Sequence, residues 1–142
     1  MKTVKQLLDV KGRHVWTIAP DASVFEAVHL MDEKKVGALV VVIGKKPIGM
    51  VSERDYARKV ILKGRSSKDT AIKEIMTPRV VFALPNLSVE RCMAIMTEKH
   101  IRHLPVLDRG HLAGMISIGD LVESIIAEQE FIIRQLEHYI SH

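Results

Sequence analysis

The 142-residue chain has a single cysteine, Cys92, so no disulfide can close within it, and a reducing setting such as the cytoplasm is expected. Aromatic residues make up only 4%, and in the first half only Trp16, Phe25 and Tyr56 offer a face for a base. With no RNP-type or zinc-finger pattern either, nucleic acid is a poor fit as partner. No apolar run approaches a membrane span: Ala38–Ile43 is the longest, and Met1-Lys2-Thr3-Val4-Lys5 does not lead into the apolar core of a signal peptide. Neither membrane insertion nor secretion is expected. Gly44-Lys45 is not followed by the residues of a phosphate loop, and no Ser/His/Asp grouping is indicated. His138 and His142, four apart on a helix, have no third ligand in sight, so a solvated terminus is expected there and no metal site. Cys92 shares an apolar helix face with Val89, Met93 and Met96, which predicts a core residue and not a nucleophile. His29 and His100 are expected on the surface. These absences point away from an enzyme.

What is present begins with charge. Residues 1–71 carry 14 Lys/Arg against 8 Asp/Glu, whereas residues 72–142 carry 7 against 9. A basic first half favours an anionic partner, and a small phosphorylated ligand needs less basic surface than a nucleic acid. A solvated charged face would account for the same imbalance.

Self-comparison at an offset of 65 residues then organises the chain: Val15–Ile61 lies on Val80–Ile126 without a gap, with 14 identities in 47 positions. The anchors include Pro20/Pro85, Ser23/Ser88, Met31/Met96, Leu39/Leu104, Val41/Val106, Gly49/Gly114, Ser52/Ser117 and Asp55/Asp120. The polar stretch Lys63–Asp69 reads as the linker, which divides the chain into a first repeat over 1–66 and a second over 67–142. Each copy reads as strand, helix, strand, strand, helix. In the first, Val15–Ile18 is a strand, Ser23 caps a helix, Ala38–Ile43 and Ile48–Val51 are strands, and Ser52 opens the next helix. In the second, the same elements are Val80–Leu84, Ser88–Lys99, His103–Leu107, Leu112–Ile116 and a helix from Ser117. One such copy has too small a sheet to bury much surface alone. The expected fold class is therefore α+β, two pseudo-symmetric β-α-β-β-α repeats packed sheet to sheet with clefts between them. The last helix overruns its repeat, with Ile125, Ile126, Gln129, Ile132, Ile133, Leu136, Tyr139 and Ile140 along one stripe. A second subunit would cover that stripe, and so would packing back onto the chain's own domain or onto the amphipathic segment Val4–Val10.

Both copies contain Gly-Met-(Val/Ile)-Ser-x-x-Asp, at 49–55 and 114–120. Glycine on a strand permits close approach to the backbone. Serine at the strand-to-helix junction sets a hydroxyl beside the free N–H groups of a helix N-terminus, where phosphate binds well. Aspartate three residues on can accept from a ribose diol. Ser-x-x-Asp is equally close to a capping box, which needs no ligand. Its recurrence in register, each time after the second of two apolar strands, favours a ligand without removing the cap reading.

The repeat, this signature, and the segments Ser-Glu-Arg-Asp-Tyr-Ala-Arg-Lys-Val (52–60) and Arg-His-Leu-Pro-Val-Leu-Asp (102–108) resemble a tandem pair of cystathionine β-synthase (CBS) domains of the free-standing bacterial signal-transduction type, over about residues 12–126. The resemblance implies a regulatory, energy-sensing module that binds adenosyl compounds (AMP, ADP, ATP, NAD(H) or S-adenosylmethionine) between its repeats, has no catalytic cofactor, often forms a homodimer and acts on an unknown regulated protein. Carried over by position, it implies Ser52 with Asp55 and Ser117 with Asp120 as phosphate/ribose pairs, and Arg102 and His103 as phosphate contacts. Val36, Gly37, Ala38 and Ile101 would hold the adenine, and Thr77 is a further contact. The copies differ there: the first has Gly37-Ala38 against Arg102-His103, and Arg54 against Gly119, so two unequal sites are expected. The competing readings are a constitutive dimerisation or adaptor module with empty clefts and, least favoured, a nucleic-acid binder using the basic half.

Overall fold

A computed structural model describes residues 2–141. The chain forms two compact units: Val15–Val81, and the chain up to His14 joined with the chain from Phe82 on. Both are α+β. In the first, β1 (Thr17–Ile18) pairs parallel with β2 (Ala38–Ile43), which pairs antiparallel with β3 (Lys46–Ser52). The helix α2 (Val24–Lys34) follows β1, and α3 (Glu53–Tyr56) follows β3 and widens into a π turn, Ala57–Ile61. In the second unit β4 (His103–Asp108) pairs antiparallel with β5 (His111–Ser117), and the helices are α1 (Val4–Lys11), α4 (Val89–Lys99) and α5 (Ile118–Ser141).

The two copies obey the same local rules. Ser23 and Ser88 cap α2 and α4, their hydroxyls accepting from the N–H of Glu26 and Arg91 at 3.1 Å in each case. Lys35 and His100 end those helices in the left-handed region, both at φ 56°. Val24, Ala27, Met31, Leu39, Val41 and Val51 are buried in the first unit; their 65-residue counterparts Val89, Cys92, Met96, Leu104, Val106 and Ile116 are buried in the second. Cys92 lies in the core as expected, and burial raises its thiol pKa to about 11, with the nearby Glu90 adding to the effect.

The expected strand Val80–Leu84 is reduced to one parallel bridge, Ala83 with Val106. The reason is Pro105. Its counterpart Val40 donates its N–H to the Trp16 carbonyl at 3.1 Å, and proline has no N–H to repeat that bond.

The units also depart from the division at 66/67. Residues 71–76 pack on the first copy, where Ile72 and Ile75 join its core. Val4, Leu7 and Leu8 are buried in the other unit. The two segments do one job. Ile72 and Lys73 donate to the Ala22 and Pro20 carbonyls at 2.9 and 3.0 Å; Val4 and Lys5 donate to the Leu87 and Pro85 carbonyls at 2.8 and 2.9 Å. Thr70 and Lys2 supply the carbonyls that accept from the first N–H of α2 and α4, at 2.8 and 3.0 Å. These segments match at an offset of 68, three more than the repeat, so a gapless comparison misses them.

Candidate functional site

Ser52 and Ser117 stand where a strand ends and a helix begins, and each makes a reciprocal box with the aspartate three residues on. The Ser52 N–H donates to Asp55 Oδ2 at 2.9 Å, and the Asp55 N–H donates to the Ser52 hydroxyl at 3.3 Å. The second copy repeats this at 2.7 and 3.2 Å between Ser117 and Asp120. The capping box therefore exists in both copies, as the ligand-free reading requires. It does not exhaust the carboxylates, whose side chains keep 15% and 19% of their surface exposed.

Each aspartate also meets one lysine, by a different route. Asp55 Oδ1 takes the ammonium of Lys59, one helical turn on, at 2.9 Å; the same ammonium donates to the Ile75 carbonyl at 2.8 Å. At the position of Lys59 the second copy has Ser124, too short to reach, and Lys11 arrives from α1 instead. Its ammonium donates to Asp120 Oδ2 and to the Met115 carbonyl, both at 2.5 Å. Burial raises the Asp120 pKa, but the bonds from Lys11 and Ser117 outweigh it, and the net shift is downward. Asp120 is therefore an ionised acceptor at neutral pH. Burial also lowers the pKa of His103, helped by Lys11 and Arg102 and opposed by Asp120, so its imidazole is held neutral.

The remaining residues named from the sequence fall beside these boxes. The Glu53 N–H donates to the Gly37 carbonyl at 3.1 Å, and the Ile118 N–H to the Arg102 carbonyl at 2.9 Å, which ties each strand entry to the helix start. Val36 and Ile101 hold the turn before those entries through bonds to the Met31 and Met96 carbonyls at 3.0 and 3.1 Å. Thr77 pairs with Met50 in both directions, at 2.8 and 3.0 Å, along the outer edge of β3. Val36, Gly37, Ala38, Ser52, Arg54, Asp55 and Thr77 thus belong to one unit, and Ile101, Arg102, His103, Ser117 and Asp120 to the other.

A model of the CBS domain matches residues 7–62 and again residues 72–127. The chain belongs to the CBS-domain family. It is 38% identical to the mitochondrial CBS domain-containing protein CBSX3 of Arabidopsis thaliana, over 97% of this chain and 71% of that protein. A CBS-domain signal-transduction protein of Burkholderia ambifaria MC40-6 superposes with a TM-score of 0.87 at 53% identity, covering 90% of this chain and 96% of that one. The CBS domain pair of protein MJ0100, solved with 5′-methylthioadenosine and S-adenosyl-L-methionine, shares the fold with a TM-score of 0.80 at 22% identity, covering 90% and 98%. A CBS pair is a regulatory module.

Within the CBS repeats the residues missed from sequence are the two lysines and the neighbours of the motif glycine. Lys59 carried a usable signal, four residues after Asp55 on a helix. Lys11 carried none, since 109 residues separate it from Asp120. The space above the motif glycines is filled by the chain itself: a Cβ on Gly49 would lie 2.8 Å from Met76 Sδ and 2.9 Å from the Thr77 carbonyl, and one on Gly114 would lie 2.7 Å from Leu8 Cδ2. Of the aromatic faces, Trp16 has the Lys34 ammonium 4.4 Å from its ring centre, and Phe25 stacks on His29 with the Lys68 ammonium 5.1 Å from its ring centre. That further weakens base stacking. Among the described residues no three His, Cys, Asp or Glu side chains come together as a metal site, and His142 lies outside them. No helix of the described chain is long and apolar enough to cross a membrane.

Proposed function

We propose that this CBS pair is a regulatory sensor of adenine nucleotides, binding AMP, ADP, ATP or NAD(H) and signalling the bound state to a partner protein, with no catalysis of its own. The observation that carries this reading is the doubled serine–aspartate box with a partly exposed carboxylate at a helix N-terminus. Ser52 with Asp55 and Ser117 with Asp120 take phosphate and ribose, Arg54, Arg102, His103 and Thr77 add polar contacts, and Val36, Gly37, Ala38 and Ile101 flank the adenine. The binding of adenosyl compounds by the MJ0100 pair supports the ligand class. Two copies join through the apolar stripe of α5, and the protein works in the cytoplasm.

The test is a thermal-shift screen with AMP, ADP, ATP, NAD, NADH and S-adenosylmethionine, followed by titration of Asp55→Asn and Asp120→Asn. A ligand at 100 times its Kd adds about 2.7 kcal/mol of stability. Each substitution removes a charge-assisted acceptor and lowers affinity about tenfold or more at one of the two sites. An adaptor with empty sites behaves otherwise: no compound shifts the melting point, and each substitution costs only about 1 kcal/mol as a weakened cap.

A further inference from the structure

Lys11 is the last residue of α1, and Gly12 ends the helix at φ 106°. An ammonium has three N–H donors. Met115 and Asp120 take two of them, which leaves one without an acceptor among the described residues. Asp120 is unevenly used as well: Ser117 and Lys11 both bind Oδ2, and Oδ1 accepts no hydrogen bond among the described residues. The first copy is built differently at both points. There the Met50 carbonyl accepts from the Thr77 peptide N–H at 2.8 Å, a fixed neutral donor, and both oxygens of Asp55 are engaged. Where the first copy has Glu53 and Arg54 the second has Ile118 and Gly119, which leaves Lys11 and Arg102 as the cations beside Asp120.

We propose that Lys11 is a phosphate-binding residue of the Asp120 site, its third donor taking a phosphate oxygen while the ribose hydroxyls take Asp120, so that this site selects phosphorylated adenosyl compounds over neutral ones. This rests on the adenosyl-ligand reading above and adds a residue outside the repeated motif. It gives the ligand a direct grip on α1, because the cation that meets the phosphate is the end of that helix.

AMP and adenosine differ by the phosphate alone, so calorimetric titration of the full chain with each isolates the contribution of Lys11. In Lys11→Met, AMP affinity at one site falls about tenfold or more while adenosine affinity changes less than about threefold, and Lys11→Arg keeps the preference for AMP. An unchanged ratio of AMP to adenosine affinity in Lys11→Met overturns the assignment, as does an equal loss for both compounds, which marks a structural role. A parent chain that binds neither compound overturns the adenosyl reading itself, and the Lys11 assignment with it.

Discussion

Gly49 and Gly114 hold the same place in the repeat, yet different atoms press on them. At Gly114 the neighbours are the two methyls of the Leu8 side chain, buried but belonging to a flexible group and not to backbone. At Gly49 one neighbour is the Thr77 carbonyl, fixed by two hydrogen bonds to Met50. Gly49→Ala should therefore destabilise the chain by about 1–3 kcal/mol, as overpacking does, and Gly114→Ala by clearly less. Urea unfolding of the two variants checks the order, and equal losses would refute it. His103 and Asp120 give a second residue-scale outcome, in pH. The fold keeps His103 neutral, so the unfolded chain binds the extra proton as pH falls through about 6.5, and stability falls with it. The fold keeps Asp120 ionised, so its contribution is present above the ordinary carboxylate range near 4 and is lost below it. Since the Lys11–Asp120 pair is partly solvated, that second loss stays below about 1 kcal/mol. Urea midpoints from pH 8 to pH 3 should show the upper slope flattened in His103→Gln and the lower one in Asp120→Asn. Curves parallel to the parent would contradict both assignments.

At the scale of elements, what could be read in advance is what depends on neighbours in sequence. Ser23 and Ser88 as caps, the strand at Ala38–Ile43, the helix starts after Ser52 and Ser117, and the burial of Cys92 all follow from local pattern. The misreadings came from partners far along the chain. The lost strand at Val80–Leu84 depends on Pro105 opposite it, more than twenty residues away. The exchange of 3–8 and 71–76 between units was hidden by a three-residue change of offset, because α1 runs on to Lys11 whereas its counterpart stops after one 3-10 turn at Ile72–Glu74, shortly before Pro78. The site divides in the same way. The serine–aspartate boxes were legible because they span three residues, whereas the cation at Asp120 enters from the other end of the sequence.

At the scale of the whole molecule, α5 leaves the strongest demand unmet. Leu121 and Ser124 are its buried residues, and from Gln129 onward every described position is exposed. Val122, Ile125, Gln129, Ile132, Leu136 and Tyr139 recur at alternating three- and four-residue steps, with Ile126, Ile133 and Ile140 alongside. Packing back onto α1 covers none of the later ones: Ile132, Ile133 and Leu136 remain 49%, 53% and 56% exposed. The overhang beyond Ile126 is about 22 Å of helix at 1.5 Å per residue, a length that is marginal in water unless something packs against it. In the proposed homodimer a second copy of α5 would offer the same stripe and close the interface on itself, with Gln129 as a polar position able to fix the register. Replacing Ile132 and Leu136 together by lysine puts four charges into that seam. The expected outcome is a halved mass by light scattering, with α5 melting back toward Ile126 and the two repeat units still folded by circular dichroism. A parent chain already monomeric at the concentrations used, or a double variant with the parent's mass, would place the contact between copies somewhere other than α5.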